Sequence, residues 1–196
     1  VLVYNGELYN TEELRAPLVR EGVAFRGHSD TEVLLHALQR WGPGALTRCA
    51  GMFALALWTP ATRTLLLARD PMGIKPLYVA RGNGSDGALA FASEVRALLC
   101  SGLVERSLDA RAVAGLLAHG AVPEPLTMWR GVTMFPPGAH EALTLDGDGR
   151  VRASGAVRYW DFPSVDASMT RERAVEGVRA ALDASVRDHL VSDVPV

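Results

Sequence analysis

The sequence predicts a mixed fold, α/β or α+β, in which helices pack on strands. Three observations carry that expectation. Helix-start signals open two segments near the beginning of the chain, at Asn10 and Ser29. Apolar runs of strand length then dominate residues 52–92, divided by clusters of Gly, Pro, Asn, Asp and Ser. A last helical pattern, Arg171 to Leu190, follows the linker-like stretch Pro163 to Ser168.

Val1-Leu2-Val3-Tyr4 is an apolar, β-branched run that meets the turn signal Asn5-Gly6, so a strand is expected at the very start. Asn10, with Glu12 and Glu13 just beyond it, suits a helix N-cap. Leu14 and Leu18 supply that helix with an apolar stripe, and Pro17 predicts a kink or a late start. Ser29-Asp30-Thr31-Glu32 is a second capping box. Leu34, Ala37, Leu38 and Trp41 share one face of the helix it opens, and Gly42-Pro43-Gly44 ends it. Met52 to Trp58 and Thr64 to Arg69 form a hairpin around Pro60-Ala61-Thr62-Arg63. Leu77 to Ala80 and Ala88 to Ala92 form a second, with its tip in Arg81 to Gly87. These runs are continuously apolar, which predicts strands covered on both faces. Ser93 is placed to cap a short helix through Leu99, and Leu108 to His119 reads as another. Pro123, Pro125, Pro136 and Pro137 mark extended chain before a strand near Glu141 to Leu145 and the turn Asp146 to Gly149.

Composition excludes several classes. Lys+Arg 20 against Asp+Glu 22 leaves a net charge of −2, with no global field toward nucleic acid or a membrane. Hydrophobic content of 48% with 21% charged residues fits a packed core. No apolar run approaches the roughly 20 residues that span a bilayer. Val1 to Tyr4 carry no basic n-region, and Cys49 and Cys100 are too few for a disulfide scaffold, so a cytoplasmic protein is expected. The five His show no metal spacing, and no phosphate-loop or Rossmann glycine pattern is present. Both ends interrupt an element, which reads as a piece of a longer protein. Usage is skewed: Lys75 is the only Lys, Ile74 the only Ile, and Asn5 and Asn10 are two of three Asn. Residues that survive such a bias are candidates for specific work.

Two motifs admit both a structural and a chemical role. Asn5-Gly6-Glu7 is either a turn or a pair of N–H donors, side chain and backbone, able to stabilise a tetrahedral oxyanion. Ser29-Asp30-Thr31-Glu32 is either a helix cap or a carboxylate held to receive a substrate ammonium group. Arg69-Asp70-Pro71-Met72-Gly73-Ile74-Lys75-Pro76 is either a surface turn with an Arg–Asp pair or an ordered contact loop. Cys49 and Cys100 lack a catalytic base pattern and read as buried small hydrophobes.

Several segments are shared in order with one family: Tyr4-Asn5-Gly6-Glu7-Leu8-Tyr9-Asn10, Ser29 to Leu35, Gly51 to Trp58 and Leu67 to Tyr78. Phe91 to Val95, Arg130-Gly131-Val132, Pro136-Pro137-Gly138 and Arg158-Tyr159-Trp160-Asp161 continue the series. Together they resemble the glutamine-dependent asparagine synthetases over nearly the whole chain. The resemblance implies an α+β fold, the four-layer αββα sandwich of N-terminal-nucleophile hydrolases, truncated at its N-terminus. Residues 1–162 would be most of that glutaminase domain, and 163–196 a linker and the first helix of an ATP-pyrophosphatase domain.

By the same resemblance, glutamine, aspartate and ATP give asparagine, glutamate, AMP and diphosphate. Asn5 and Gly6 would form the oxyanion hole, and Glu7 and Asp30 would help hold glutamine, with Asp30 at its α-ammonium. The family nucleophile, a cysteine at the mature N-terminus whose amine serves as base, has no counterpart here. ATP and Mg²⁺ would bind beyond this chain, leaving the fragment without cofactor and inactive. A homodimer fits the family. Two alternatives stay open: a non-catalytic relative, or an amidotransferase of the same family making a specialised metabolite. Arg158 to Asp161 and the ending Ser192 to Val196 argue against siblings acting on sugar phosphates or ribosyl pyrophosphate.

Overall fold

A computed structural model describes residues 1–82 and 88–190. The tip of the second expected hairpin and the ending Ser192 to Val196 therefore lie outside the described residues. The larger sheet has strand order β1 (Leu2–Leu8), β2 (Gly51–Thr59), β3 (Thr64–Arg69), β7 (Ala139–Leu145), β8 (Val151–Ala153). A short β9 (Val157–Arg158) also pairs with β7. The smaller sheet runs β5 (Leu89–Ala92), β4 (Tyr78–Arg81), β6 (Val132–Met134). Every pairing is antiparallel.

Alternation along β2 explains how two apolar layers arise from one continuous run. Phe53, Leu55 and Leu57 pack on one side, with α1 (Thr11–Arg20) and α2 (Asp30–Trp41), through Leu14, Leu18, Val33, Leu34, Ala37 and Leu38. Ala54 and Ala56 face the other way and meet Leu77, Val79 and Phe135 of the smaller sheet's layer. That sheet's outer face carries Ala80 and Val132, which pack on Leu98 of α3 (Val95–Cys100). The result is helix, sheet, sheet, helix: the expected α+β sandwich with strands covered on both faces. A further helix, α4 (Ala110–His119), is capped by Asp109, whose carboxylate accepts from Arg111 N at 2.9 Å.

Several local expectations are corrected. Asn10 is not a side-chain cap for α1; its amide spans to the chain before β2, donating to Arg48 O at 2.8 Å and accepting from Ala50 N at 2.9 Å. The helix starts at Thr11 and runs through Pro17, so there is no late start; Pro17 costs only one backbone donor in a helix anchored by Leu14 and Leu18. Ser93 does not cap α3, whose Glu94 N-cap makes no side-chain bond. Leu108 stands outside α4 and is exposed. The strands β6, β8 and β9 carry no strand signal of their own: β6 pairs with the distant β4, whereas β8 folds back on β7 across the Asp146 to Gly149 turn and β9 pairs with the start of β7. Ser29 does cap α2, accepting from Glu32 N at 3.2 Å.

The Arg69-Asp70 loop is ordered, but not by an ion pair between those two residues. Asp70 is 1% exposed and its carboxylate accepts from four backbone N–H groups: Phe53, Met72, Ile74 and Lys75. Arg69 instead donates to the carbonyls of Lys75, Phe135 and Gly73. The final helix, α5 (Arg171–His189), buries none of its residues. Its apolar positions Val175, Val178, Leu182 and Val186 share one exposed face.

Candidate active site

The end of β1 and the start of α2 enclose an open cavity of about 710 Å³, lined by residues 6–13 and by His28, Ser29 and Asp30. Three of the four expected site residues, Gly6, Glu7 and Asp30, line it. Asn5 is not among the lining residues. Its side chain leaves the opposite face of β1, toward the smaller sheet, and Nδ2 donates to Ser93 Oγ at 3.2 Å. An amide nitrogen carries two N–H donors, so this bond leaves one for another acceptor.

Strand geometry accounts for Gly6. A Cβ there would lie 2.4 Å from Met52 O and 2.8 Å from Phe53 Cα, so no side chain fits against β2. The register also aims its amide. Trp58 N donates to Val1 O and Tyr9 N to Ala50 O, so odd-numbered residues of β1 exchange hydrogen bonds with β2. Even-numbered residues turn their N–H groups to the other edge. Leu8 does this, donating to Asp30 Oδ2 at 3.2 Å. Gly6 has the same parity, and among the described residues β1 pairs only with β2, so its N–H points to the open edge.

Asp30 is held firmly. Its Oδ2 accepts from Tyr4 OH at 2.9 Å as well as from Leu8 N, and Oδ1 accepts from Thr31 Oγ1 at 3.2 Å. As the first residue of α2, it also sits where the helix dipole favours negative charge. Burial, reinforced by the Asp30 carboxylate beside it, raises the Tyr4 hydroxyl far above its ordinary range, so it remains a donor. One motif thus supplies both a helix cap and a cavity carboxylate: Ser29 caps α2, and Asp30 lines the cavity.

Tyr9, also on the cavity wall, meets the last turn of α5. Its hydroxyl lies 2.9 Å from His189 Nε2, with ring centroids 4.7 Å apart. No sequence signal pointed to this pair.

Neither cysteine is placed as a nucleophile. Cys49 is enclosed, its Sγ donates to Ala45 O at 3.3 Å, and burial pushes the thiol up to about 12. Cys100 is exposed at the end of α3, not buried as the sequence suggested, because this short helix turns only Leu98 fully inward. Iodoacetamide at pH 8 is expected to alkylate Cys100 and spare Cys49. Mass spectrometry of the native protein checks this, and equal labelling of both would contradict the enclosure of Cys49. Among the described residues, no group of three or more His, Cys, Asp or Glu could hold a metal ion, and no helix is long and apolar enough to cross a membrane.

Residues 1–160 match the family of the glutamine amidotransferase domain. The chain belongs to that family. The chain is 35% identical over 196 residues to asparagine synthetase (glutamine-hydrolysing) 3 of Bacillus subtilis, covering 100% of this chain and 30% of the relative. A putative glutamine-hydrolysing asparagine synthetase of Mycobacterium bovis is 38% identical over 205 residues, with the same coverage. An amidase of Penicillium rubens is 31% identical over 198 residues, 99% of this chain and 28% of the relative. The amidotransferase chain thus spans about 30% of the length of the synthetases it matches. Its fold is that of glutamine phosphoribosylpyrophosphate amidotransferase of Bacillus subtilis, with a TM-score of 0.50 at 23% identity over 81% of this chain and 29% of that one.

Proposed function

We propose that this chain is the glutamine-binding and oxyanion-stabilising part of an ATP-dependent asparagine synthetase. Whole-chain identity to glutamine-hydrolysing synthetases, over about 30% of their length, carries this reading. One geometric feature supports its glutamine half: the anchored carboxylate of Asp30 lines the same cavity as Gly6, whose N–H faces an open edge.

In this reading Asp30 receives the α-ammonium of glutamine, because an enclosed ammonium needs a compensating carboxylate. Glu7 lines the same wall and helps hold the substrate. A thiol at the parent's mature N-terminus attacks the side-chain amide carbon, and its free amine takes the proton. The oxyanion that develops is met by Gly6 N–H and by the second N–H of Asn5 Nδ2. The amine passes that proton to the amide nitrogen, ammonia leaves as the thioester forms, and water then releases glutamate and restores the thiol. One such donor is worth about 3–4 kcal/mol of transition-state stabilisation. ATP, Mg²⁺ and aspartate belong to the rest of the parent protein, with α5 as the opening of that second domain after a boundary near residue 162. A homodimer is part of the same reading.

The parent protein is expected to form asparagine and AMP from aspartate, ATP and glutamine, and the 196-residue chain alone to release no ammonia from glutamine. Amino-acid chromatography and coupled ammonia detection check both. Glutamine hydrolysis by the isolated chain would overturn the assignment of the nucleophile; a parent that leaves glutamine intact would favour a non-catalytic relative. An acceptor other than aspartate is the second reading, favoured by the likeness to an amidase.

A further inference from the structure

The segment between α1 and α2 bears the His28–Asp30 wall of the cavity, yet residues 24–29 have no regular structure to hold them. Two side chains grip this strap from different helices. From α1, Arg15 Nη1 donates to Gly27 O at 3.1 Å, and its guanidinium lies over the Phe25 ring at 4.3 Å from the centroid. From α2, the Glu32 carboxylate accepts from Arg26 N and Gly27 N, both at 2.8 Å. Phe25 also meets His36 edge-on, with centroids 5.2 Å apart.

Arg15 is an unusual helix residue. Its side chain is only 12% exposed, and Nε and Nη2 are buried without a hydrogen-bond partner. Glu12 approaches Nε no closer than 3.5 Å and is itself 82% exposed. A guanidinium so enclosed is costly unless something repays its desolvation. Here the compensation is the negative face of Phe25 and one strap carbonyl. Both lie in the segment that leads into Asp30, so the charge is committed to that segment rather than to solvent.

We propose that Arg15 is a positioning residue for the glutamine cavity. With Glu32 it clasps the Phe25–Gly27 strap and so fixes the Asp30 carboxylate relative to the Gly6–Glu13 wall. The inference rests on the glutamine reading above. Arg15 touches no reacting atom; it acts through the place at which Asp30 meets the substrate ammonium. Loosening the strap weakens ground-state and transition-state binding alike, which appears in KM and not in kcat.

The test uses the full-length parent enzyme. Arg15→Met is expected to raise KM for glutamine about tenfold, while kcat at saturating glutamine changes less than about twofold. Arg15→Lys keeps a cation over Phe25 without the fork, and should fall between wild type and Arg15→Met. Glu32→Gln should give the same split. The double variant should raise KM by less than the product of the single effects, because both act on one strap. General destabilisation would lower the active fraction, and hence apparent kcat, at unchanged KM. Unchanged KM in Arg15→Met, or a loss confined to kcat, overturns the proposal.

Hydrogen exchange at Arg26 N and Gly27 N, both held by Glu32, reads the clasp without any substrate. Faster exchange at these amides in Arg15→Met is expected, and unaltered exchange overturns the clasp. A wild-type parent that binds no glutamine, together with faster exchange at these amides in its Arg15→Met variant, would sink the glutamine reading and leave the clasp standing.

Discussion

Asp30→Asn is expected to lower kcat/KM for glutamine by about 30- to 1000-fold in the full-length enzyme. Removing one member of a desolvated charge pair costs about 2–4 kcal/mol, and each 1.4 kcal/mol is tenfold. The variant isolates the charge well. Asparagine is nearly isosteric, and its carbonyl oxygen can still accept from Tyr4 OH or Leu8 N, which sets the end of β1 against α2. In the synthetase proposed above, asparagine formation from added ammonia bypasses glutamine and is expected to proceed at the wild-type rate. Steady-state glutaminase and ammonia-dependent assays on one preparation check both halves. A kcat/KM for glutamine within threefold of wild type would remove Asp30 from the substrate site.

Asp70→Ala is expected to destabilise the domain by about 3–6 kcal/mol, a large share of the 5–15 kcal/mol that folded domains possess. The cost follows from donors, not from charge. Four backbone N–H groups lose their common acceptor, and the site is closed to water at Phe53 N, with Asp70 1% exposed. Met72 and Ile74 have exposed side chains, so water reaches part of the loop and keeps the sum below four full penalties. At about 2–4 °C per kcal/mol, the domain's melting temperature should fall by roughly 6–24 °C. Differential scanning calorimetry reads this directly, and a fall of under 3 °C would refute the hub. Asp70→Asn retains one good acceptor but turns an NH2 toward backbone donors, so it should rescue little.

Legibility in the sequence followed the range of the interaction. The hairpin of β2 and β3 and the Ser29 cap of α2 are local, and apolar runs with turn residues between them announce such features. Gly6 was visible as half of Asn5-Gly6, though the reason it must be glycine, the backbone of Met52 and Phe53, lies across the sheet. Asn10 satisfied every local rule for a cap, yet the donor and acceptor at Arg48 and Ala50 claimed its amide. Asp70 beside Arg69 invited an ion pair, whereas a short carboxylate before a proline-bracketed turn competes for nearby backbone N–H groups. That competition was the available signal. Arg15 gave only a faint one: a charge beside the Leu14 and Leu18 stripe, where a solvent-facing residue would be equally at home. His189 beside Tyr9 gave none, since 180 positions separate them.

The strand order also sets how the larger sheet must assemble. β2 and β3 close through Pro60 to Arg63 alone, whereas about 40 residues separate β1 from β2 and about 70 separate β3 from β7. Each doubling of a closed loop adds about 0.6 kcal/mol of entropy cost, so the central hairpin is the cheapest nucleus and its two flanking strands the dearest additions. Asn5, Gly6 and the anchor of Asp30 all belong to or touch β1. The candidate site is therefore built on a strand whose pairing closes late and over a long range, so its residues come together through one of the slowest classes of contact in folding.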